Sequence, residues 1–254
     1  MKIYFSFMKK EWIEQIRTYK LFILLVVFFI FGMISPLTAK LMPKLLNQFS
    51  IEGMTITLSE PSAIDSYTQF FKNLSQMGLL VLVIVFSGSL TQELTKGTLI
   101  NLVTKGLSRS TIIVSKFIVA LQVWTISLFL AFFTTYGYTI YLFPDDKIYH
   151  LFSSIGCLWL FGLFLLALSL LAQTVIDSQY GNLLMIALSI GCLFAINLFP
   201  KFQKYNPLEL ISKNVSMLSQ DYDMVSLLPA IGMTIGVTLI CLISAIYLFK
   251  QKRL

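Results

Sequence analysis

The chain has 254 residues, of which 57% are apolar and 12% charged, and its formal net charge is +7. Globular domains hold roughly 45–50% apolar and about 25% charged residues, so this composition, with a mean hydropathy of +0.81, excludes an ordinary soluble domain. Windows of about 18 residues without a charge recur, and the bases stand at the ends of apolar runs rather than in one patch. That is the pattern of a polytopic membrane protein and not of a nucleic-acid binder.

Residues 2–20 are too polar to span a membrane. Phe5, Met8, Trp12, Ile16 and Tyr19 recur at helical spacing, with Lys9, Lys10, Glu14 and Arg17 on other faces. The pattern predicts an amphipathic helix at the membrane surface, with Trp12 and Tyr19 as interfacial anchors. The N-terminus lacks the basic region, short apolar run and cleavage site of a signal peptide.

A first span is expected over 21–36, where Pro36 predicts an end or a kink. Residues 37–73 read as a polar excursion. Within it, Met54, Ile56 and Leu58 alternate as in a short strand or extended loop, and Ala63–Asn73 reads as a short helix capped by Ser62. A second span covers 74–90; Gly78, Ser87, Gly88 and Ser89 allow close helix contact near its polar end.

Gln92–Lys116 then interrupts the apolar sequence with one acid and four bases. Gly97 and Gly106 bracket a short helix on which Leu99, Leu102 and Val103 would form an apolar docking edge, with Glu93, Lys96, Lys105 and Arg109 supplying charge. Ser108 or Ser110 caps the third span, expected over 112–142 and closed by the turn at Pro144-Asp145-Asp146. The fourth span covers 151–172. A connector at 173–180 carries Asp177, and the fifth span follows over 181–199. Residues 200–224 read as an external re-entrant or amphipathic segment, with Leu208–Leu218 as one short amphipathic helix. The sixth span is 225–249. The expected fold is a single all-α polytopic transmembrane domain, 1–254, with six spans.

Six spans put both termini on one side. Residues 1–20, 91–111, 173–180 and 250–254 carry eleven Lys/Arg and four acids, against seven and eight on the other side. The positive-inside rule therefore places both termini in the cytoplasm.

Little in the chain can do covalent chemistry. His150 is the only histidine, and Cys157, Cys192 and Cys241 lie in apolar runs as small buried hydrophobes. The central thirds of the spans hold almost no ionisable group, which disfavours an ion-coupled transporter. There is no G-x-x-x-x-G-K-S/T loop for ATP and no polar pore path. No catalytic, metal or cofactor residue is expected. The polar link at 92–116 is then the place where work from another protein could enter. The alternatives are an ATP-independent transporter or channel, and an immunity or scaffold protein that binds hydrophobic peptide without transport.

Glu93, the run Lys96-Gly97-Thr98-Leu99, the run Leu102 to Arg109 (LVTKGLSR) and Lys116 resemble the E-x-x-x-G-T-L … P-V/I-S-R … K region of ABC-2-type exporter permeases. Gly106 stands where that family often has proline. The resemblance implies an N-terminal interface helix and a dimeric transmembrane unit, formed with a second copy or a related permease through the first and fifth spans. It implies a cytoplasmic ABC ATPase dimer that binds ATP and Mg, so that this chain holds no cofactor itself. By the same resemblance, a coupling helix between the second and third spans docks on the ATPase, and Gln92, Glu93, Lys96, Gly97, Thr98, Leu99, Leu102, Val103 and Arg109 are the coupling residues. Lys116 would orient the return to the third span, and 173–180 would be a second contact. Apart from lipid, the expected cargo is hydrophobic or amphipathic, foremost cytolytic or antimicrobial peptides such as phenol-soluble modulins, leaving the cell membrane of a low-GC Gram-positive bacterium. Hydrophobic drugs are a further cargo class.

Overall fold

The computed structural model describes residues 2–48, 60–104, 106–144 and 148–252. Among these, six helical stretches are long and apolar enough to cross a membrane: Lys20–Met42, Ala63–Thr95, Arg109–Leu142, Leu151–Val175, Gln179–Asn197 and Met224–Gln251. The chain is an all-α, multi-pass membrane fold, as its composition requires.

Helix α1 covers Lys2–Arg17. Tyr19 then takes a left-handed φ of 58°, a conformation no right-handed helix continues, and α2 (Lys20–Gln48) leaves in a new direction. Of the end or kink expected at Pro36, the end does not occur: α2 runs on through the proline, so that 37–48 is helix and not polar excursion. Proline in a helix leaves the carbonyl four residues earlier without its backbone partner. Here that carbonyl, Gly32 O, accepts from Thr135 Oγ1 at 3.0 Å, a donor on α7 (Arg109–Leu142). Gly32 makes the approach possible, because a Cβ there would lie 2.7 Å from Ala131 O. The first and third spans therefore form a close pair along their length. The strand-like positions Met54, Ile56 and Leu58 lie outside the described residues.

The second span is longer than its apolar run. Ser62 and Asp65 form a capping box, with Asp65 Oδ2 accepting from Ser62 N at 2.9 Å and Ser62 Oγ accepting from Asp65 N at 3.4 Å. This box starts α3 (Ala63–Asn73), which passes through a π-helical turn at Leu74–Gly78 into α4 (Leu79–Phe86). Two short helices follow, α5 (Thr91–Thr95) and α6 (Thr98–Thr104), before α7 begins.

Helix α8 (Leu151–Val175) is the axis of the bundle: 72% of its apolar window is buried, against 11% for α9 (Gln179–Asn197). Trp124 of α7, fully buried, donates its indole N–H to Trp159 O of α8 at 3.1 Å. After α9 come α10 (Pro200–Gln203) and α11 (Glu209–Ser212), then α12 (Leu228–Gln251), which packs along α8. The single amphipathic helix expected over Leu208–Leu218 is instead α11 followed by a 3₁₀ turn at Ser216–Leu218. The reason is geometric. Leu208, Leu210, Met217 and Leu218 are all buried, yet these positions do not share one face at 3.6 residues per turn. The backbone must break to bury them against α8.

The close pairing of α2 and α7 gives a sharp test. Gly32→Ala should lower the thermal unfolding midpoint in detergent, costing about 1–3 kcal/mol by overpacking. The same change at Gly137, where an added Cβ meets nothing within 4 Å, should be neutral or stabilise by up to about 1 kcal/mol.

Candidate functional site

The polar link between the second and third spans is built from short, capped pieces. After α4 the chain turns at Ser87–Leu90 and forms α5. Gly97 at φ +66° reverses the chain into α6, and Gly106 at φ +89° releases it again; both angles favour glycine. Ser108 then caps α7, its Oγ accepting from Thr111 N at 3.2 Å.

The link is packed down rather than hanging free. Leu99 is fully buried among Phe7, Leu90, Leu107, Ile112, Ile113, Ala245 and Phe249, a small core shared by α1, the link, the start of α7 and the end of α12. Arg109 Nη1 reaches the carbonyls of Phe249, Lys250 and Lys252 at 3.3, 2.8 and 2.6 Å. It thereby caps the C-terminus of α12, where unpaired carbonyls and the helix dipole favour a cation. Lys252 Nζ in turn donates to Thr174 O at 3.1 Å and pairs with Asp177.

Beside this core lies a cluster of buried charge. Lys116 is inside α7, and its ammonium is 2.9 Å from Glu11 Oε2 and 2.8 Å from Glu93 Oε2. The Glu11 contact is a hydrogen bond; the Glu93 contact is an ion pair whose angles fall outside hydrogen-bond geometry. Lys10 bridges the same carboxylates from α1, at 3.1 Å to Glu11 and 2.7 Å to Glu14, and also pairs with Glu93. Burial opposes charge on Lys10, but Glu11, Glu14 and Glu93 outweigh it and hold its pKa above the ordinary lysine value. Carboxylate oxygens of Glu11, Glu14 and Glu93 come within 4.8 Å of one another, a spacing that suits a cation; the ammonium groups of Lys10 and Lys116 are the cations that meet them.

The positions singled out from sequence divide into two groups. Glu93, Leu99 and Arg109 are brought together with α1 and α12, and Val103 is half-buried against the same small core. Gln92, Lys96 and Thr98 are exposed; Gln92 Nε2 lies 3.4 Å from Gln179 Oε1, and Thr98 Oγ1 donates to Glu93 O at 3.2 Å. The expected docking edge is corrected at Leu99, which faces inward; among the described side chains of α6, the exposed large apolar one is Ile100. The side chain of Leu102 and all of Lys105 lie outside the described residues. Of the expected anchors, Tyr19 is exposed, whereas Trp12 is half-buried and donates its indole N–H to Gln122 Oε1 of α7 at 2.7 Å. The apolar stripe Phe5, Ile16 and Tyr19 is open, while Phe7, Glu11 and Gln15 on the other side of α1 are buried.

Sequence reasoning missed Glu11. The signal for it was Lys116, a lysine within an apolar run, which needs an acid within reach. The run Phe7, Glu11, Gln15 at four-residue spacing marks one face of α1.

A family model of ABC-2 family transporter proteins matches residues 6–254. The chain belongs to the ABC-2 permease family. Members of this family are non-catalytic membrane transport subunits, in keeping with a site made of ion pairs, caps and packing. A homologue in Bacillus subtilis (strain 168), the uncharacterized transmembrane protein YxlG, is 25% identical over 213 residues, 83% of each chain.

Because Lys116 is sealed between two carboxylates, Lys116→Met should cost this permease about 3–5 kcal/mol, the range for orphaning a buried ionic partner. Asp177→Asn removes an exposed partner of Lys252 and should cost under about 1 kcal/mol. Thermal melts of the purified subunit distinguish the two.

Proposed function

We propose that this ABC-2 permease is the transmembrane subunit of an ATP-driven exporter, and that its 91–111 link is where a cytoplasmic ATPase dimer delivers movement. The observation that carries this reading is the cluster of buried Glu93, Lys116 and Glu11, closed on its open side by the part-exposed Lys10. A loop that must transmit force needs a stiff attachment to the spans it moves. Charges sealed in a low-dielectric site provide one, because separating them exposes unpaired charge. In this reading α6 docks on the ATPase through Ile100, flanked by the exposed Gln92 of α5 and Lys96 just after it, and the turn at 173–180 is a second contact. ATP and Mg stay on the ATPase subunits.

The same reading places both termini in the cytoplasm and α1 at the membrane surface, with Phe5, Ile16 and Tyr19 toward lipid. A second permease, identical or related, packs against the open apolar faces of the first and fifth spans. Cargo moves at that shared surface. Apolar walls suit hydrophobic or amphipathic molecules, with cytolytic or antimicrobial peptides as the leading class.

Copurification with a tagged permease tests the proposal. The partner ATPase should come with the wild-type chain, and deletion of residues 92–103 should abolish export; normal complex formation and export after that deletion would refute the coupling role. Ile100→Asp should release the ATPase while leaving the melting temperature of the permease unchanged. Leu99→Ala, in the small core, should instead lower the melting temperature, at a cost of about 2–5 kcal/mol.

A further inference from the structure

The second span bends at Ser87–Leu90, and two buried amides hold the bend. In an unbroken α-helix Leu90 N would donate to Phe86 O. The carboxamide of Gln173, on α8, stands between them: its Oε1 accepts from Leu90 N at 2.6 Å and its Nε2 donates to Phe86 O at 3.0 Å. A side chain inserted into the backbone ladder in this way is a recognised cause of a kink. Asn182, on α9, holds the next turn, its Nδ2 donating to Ser87 O at 3.1 Å and to Thr91 Oγ1 at 2.8 Å. Both amides are fully buried, and Asn182 Oδ1 has no hydrogen-bond partner.

Helix α9 is otherwise lightly held. Its outer end is tied to the segment that follows it, through Asn206 Nδ2 to Leu193 O and Gln203 Nε2 to Asn197 O, both at 2.8 Å. Along its middle a cleft of about 450 Å³, lined by Leu79, Val83, Phe161, Leu165, Ile186 and Ile190, separates it from α4 and α8. The helix has room to move toward the second span, and two side chains at its near end grip the second span and the link: Asn182, which is buried, and Gln179, whose Oε1 accepts from Gln92 Nε2 at 3.4 Å on the exposed side.

We infer that Gln173 and Asn182 are the positioning residues of a hinge in the second span, through which movement of the polar link is handed to the fifth span. The inference rests on the coupling role proposed above. The chemistry suits a hinge. When the Gln173 amide withdraws, Phe86 O and Leu90 N can bond to each other, so the backbone is satisfied in the bent and the straight form alike. Asn182 then carries the displaced Ser87–Thr91 turn, and α9 with it, across the cleft.

The chain carries its own probe: Cys192 on α9 is exposed in the single chain, on a span proposed to face a second permease, whereas Cys157 and Cys241 are buried. The experiment uses the complete transporter, permease with its ATPase, in nanodiscs, and follows N-ethylmaleimide labelling of Cys192 with and without ATP and vanadate. In the wild type, trapping should change the labelling rate severalfold. Gln173→Met keeps size and removes the amide; Asn182→Leu cuts the link from the other side. Both should still assemble with the ATPase and hydrolyse ATP, yet lose the nucleotide-dependent change. Variants that keep the wild-type change overturn the hinge, as does a wild-type complex whose labelling ignores ATP. If neither variant assembles, the amides are merely structural and the hinge is likewise overturned. A wild-type chain that carries no ATPase overturns the coupling role itself, a separate result read before any labelling.

Discussion

An ammonium group held away from water among carboxylates is costly to desolvate and still costlier to break apart, and the termini-bearing end of this protein is arranged around such a group. Lys116 reaches Glu11 from one helix and Glu93 from the link, and Lys10 closes the ring from the far side. The three segments come from distant parts of the chain and meet at the small core around Leu99, while Trp12 also joins α1 to the main core. The charges fix their register. A salt bridge of this kind adds little net stability against an apolar alternative, and its value lies in specifying one geometry.

That geometry spreads by further polar contacts. Arg109 caps the last turn of α12, and Lys252 carries the connection on to Thr174 and Asp177. Gln173 and Asn182 pin the bend that leads into the link. The result is uneven stiffness: α1, the link, α7 and the end of α12 form a tied unit, whereas α9 is mostly bare between its two anchored ends. The coupling role proposed above would use both properties, a rigid place to be pushed and a span free to respond.

The spans were legible because hydropathy is a local property, and so were locally written pieces: the Ser62 cap, a serine cap at Ser108 or Ser110, and the glycines that bracket α6. What the sequence hid depends on distant partners. Pro36 reads as an end or a kink, and only Thr135, on another helix, shows how the carbonyl it frees is satisfied as the helix runs on. A seven-residue helix such as α6 does not declare which side is buried, so Leu99 looked like a docking residue and Ile100 went unnoticed. Glu11 was one of two acids in a basic helix, and its role appears only beside Lys116. Gln173 looked like the first residue of a connector, but α8 carries it inside the protein, where its amide replaces a backbone bond.

The central claim is that the buried charges, and not the link's own short helices, hold the link in place. Amide hydrogen exchange over Thr98–Thr104 tests it most directly, in the wild-type chain and in Glu11→Gln, a change outside the link altogether. If the cluster fastens the link, exchange in α6 should speed up by about tenfold or more, as local opening becomes easier by at least roughly 1.4 kcal/mol. Exchange in α6 that is the same in both proteins would contradict the account.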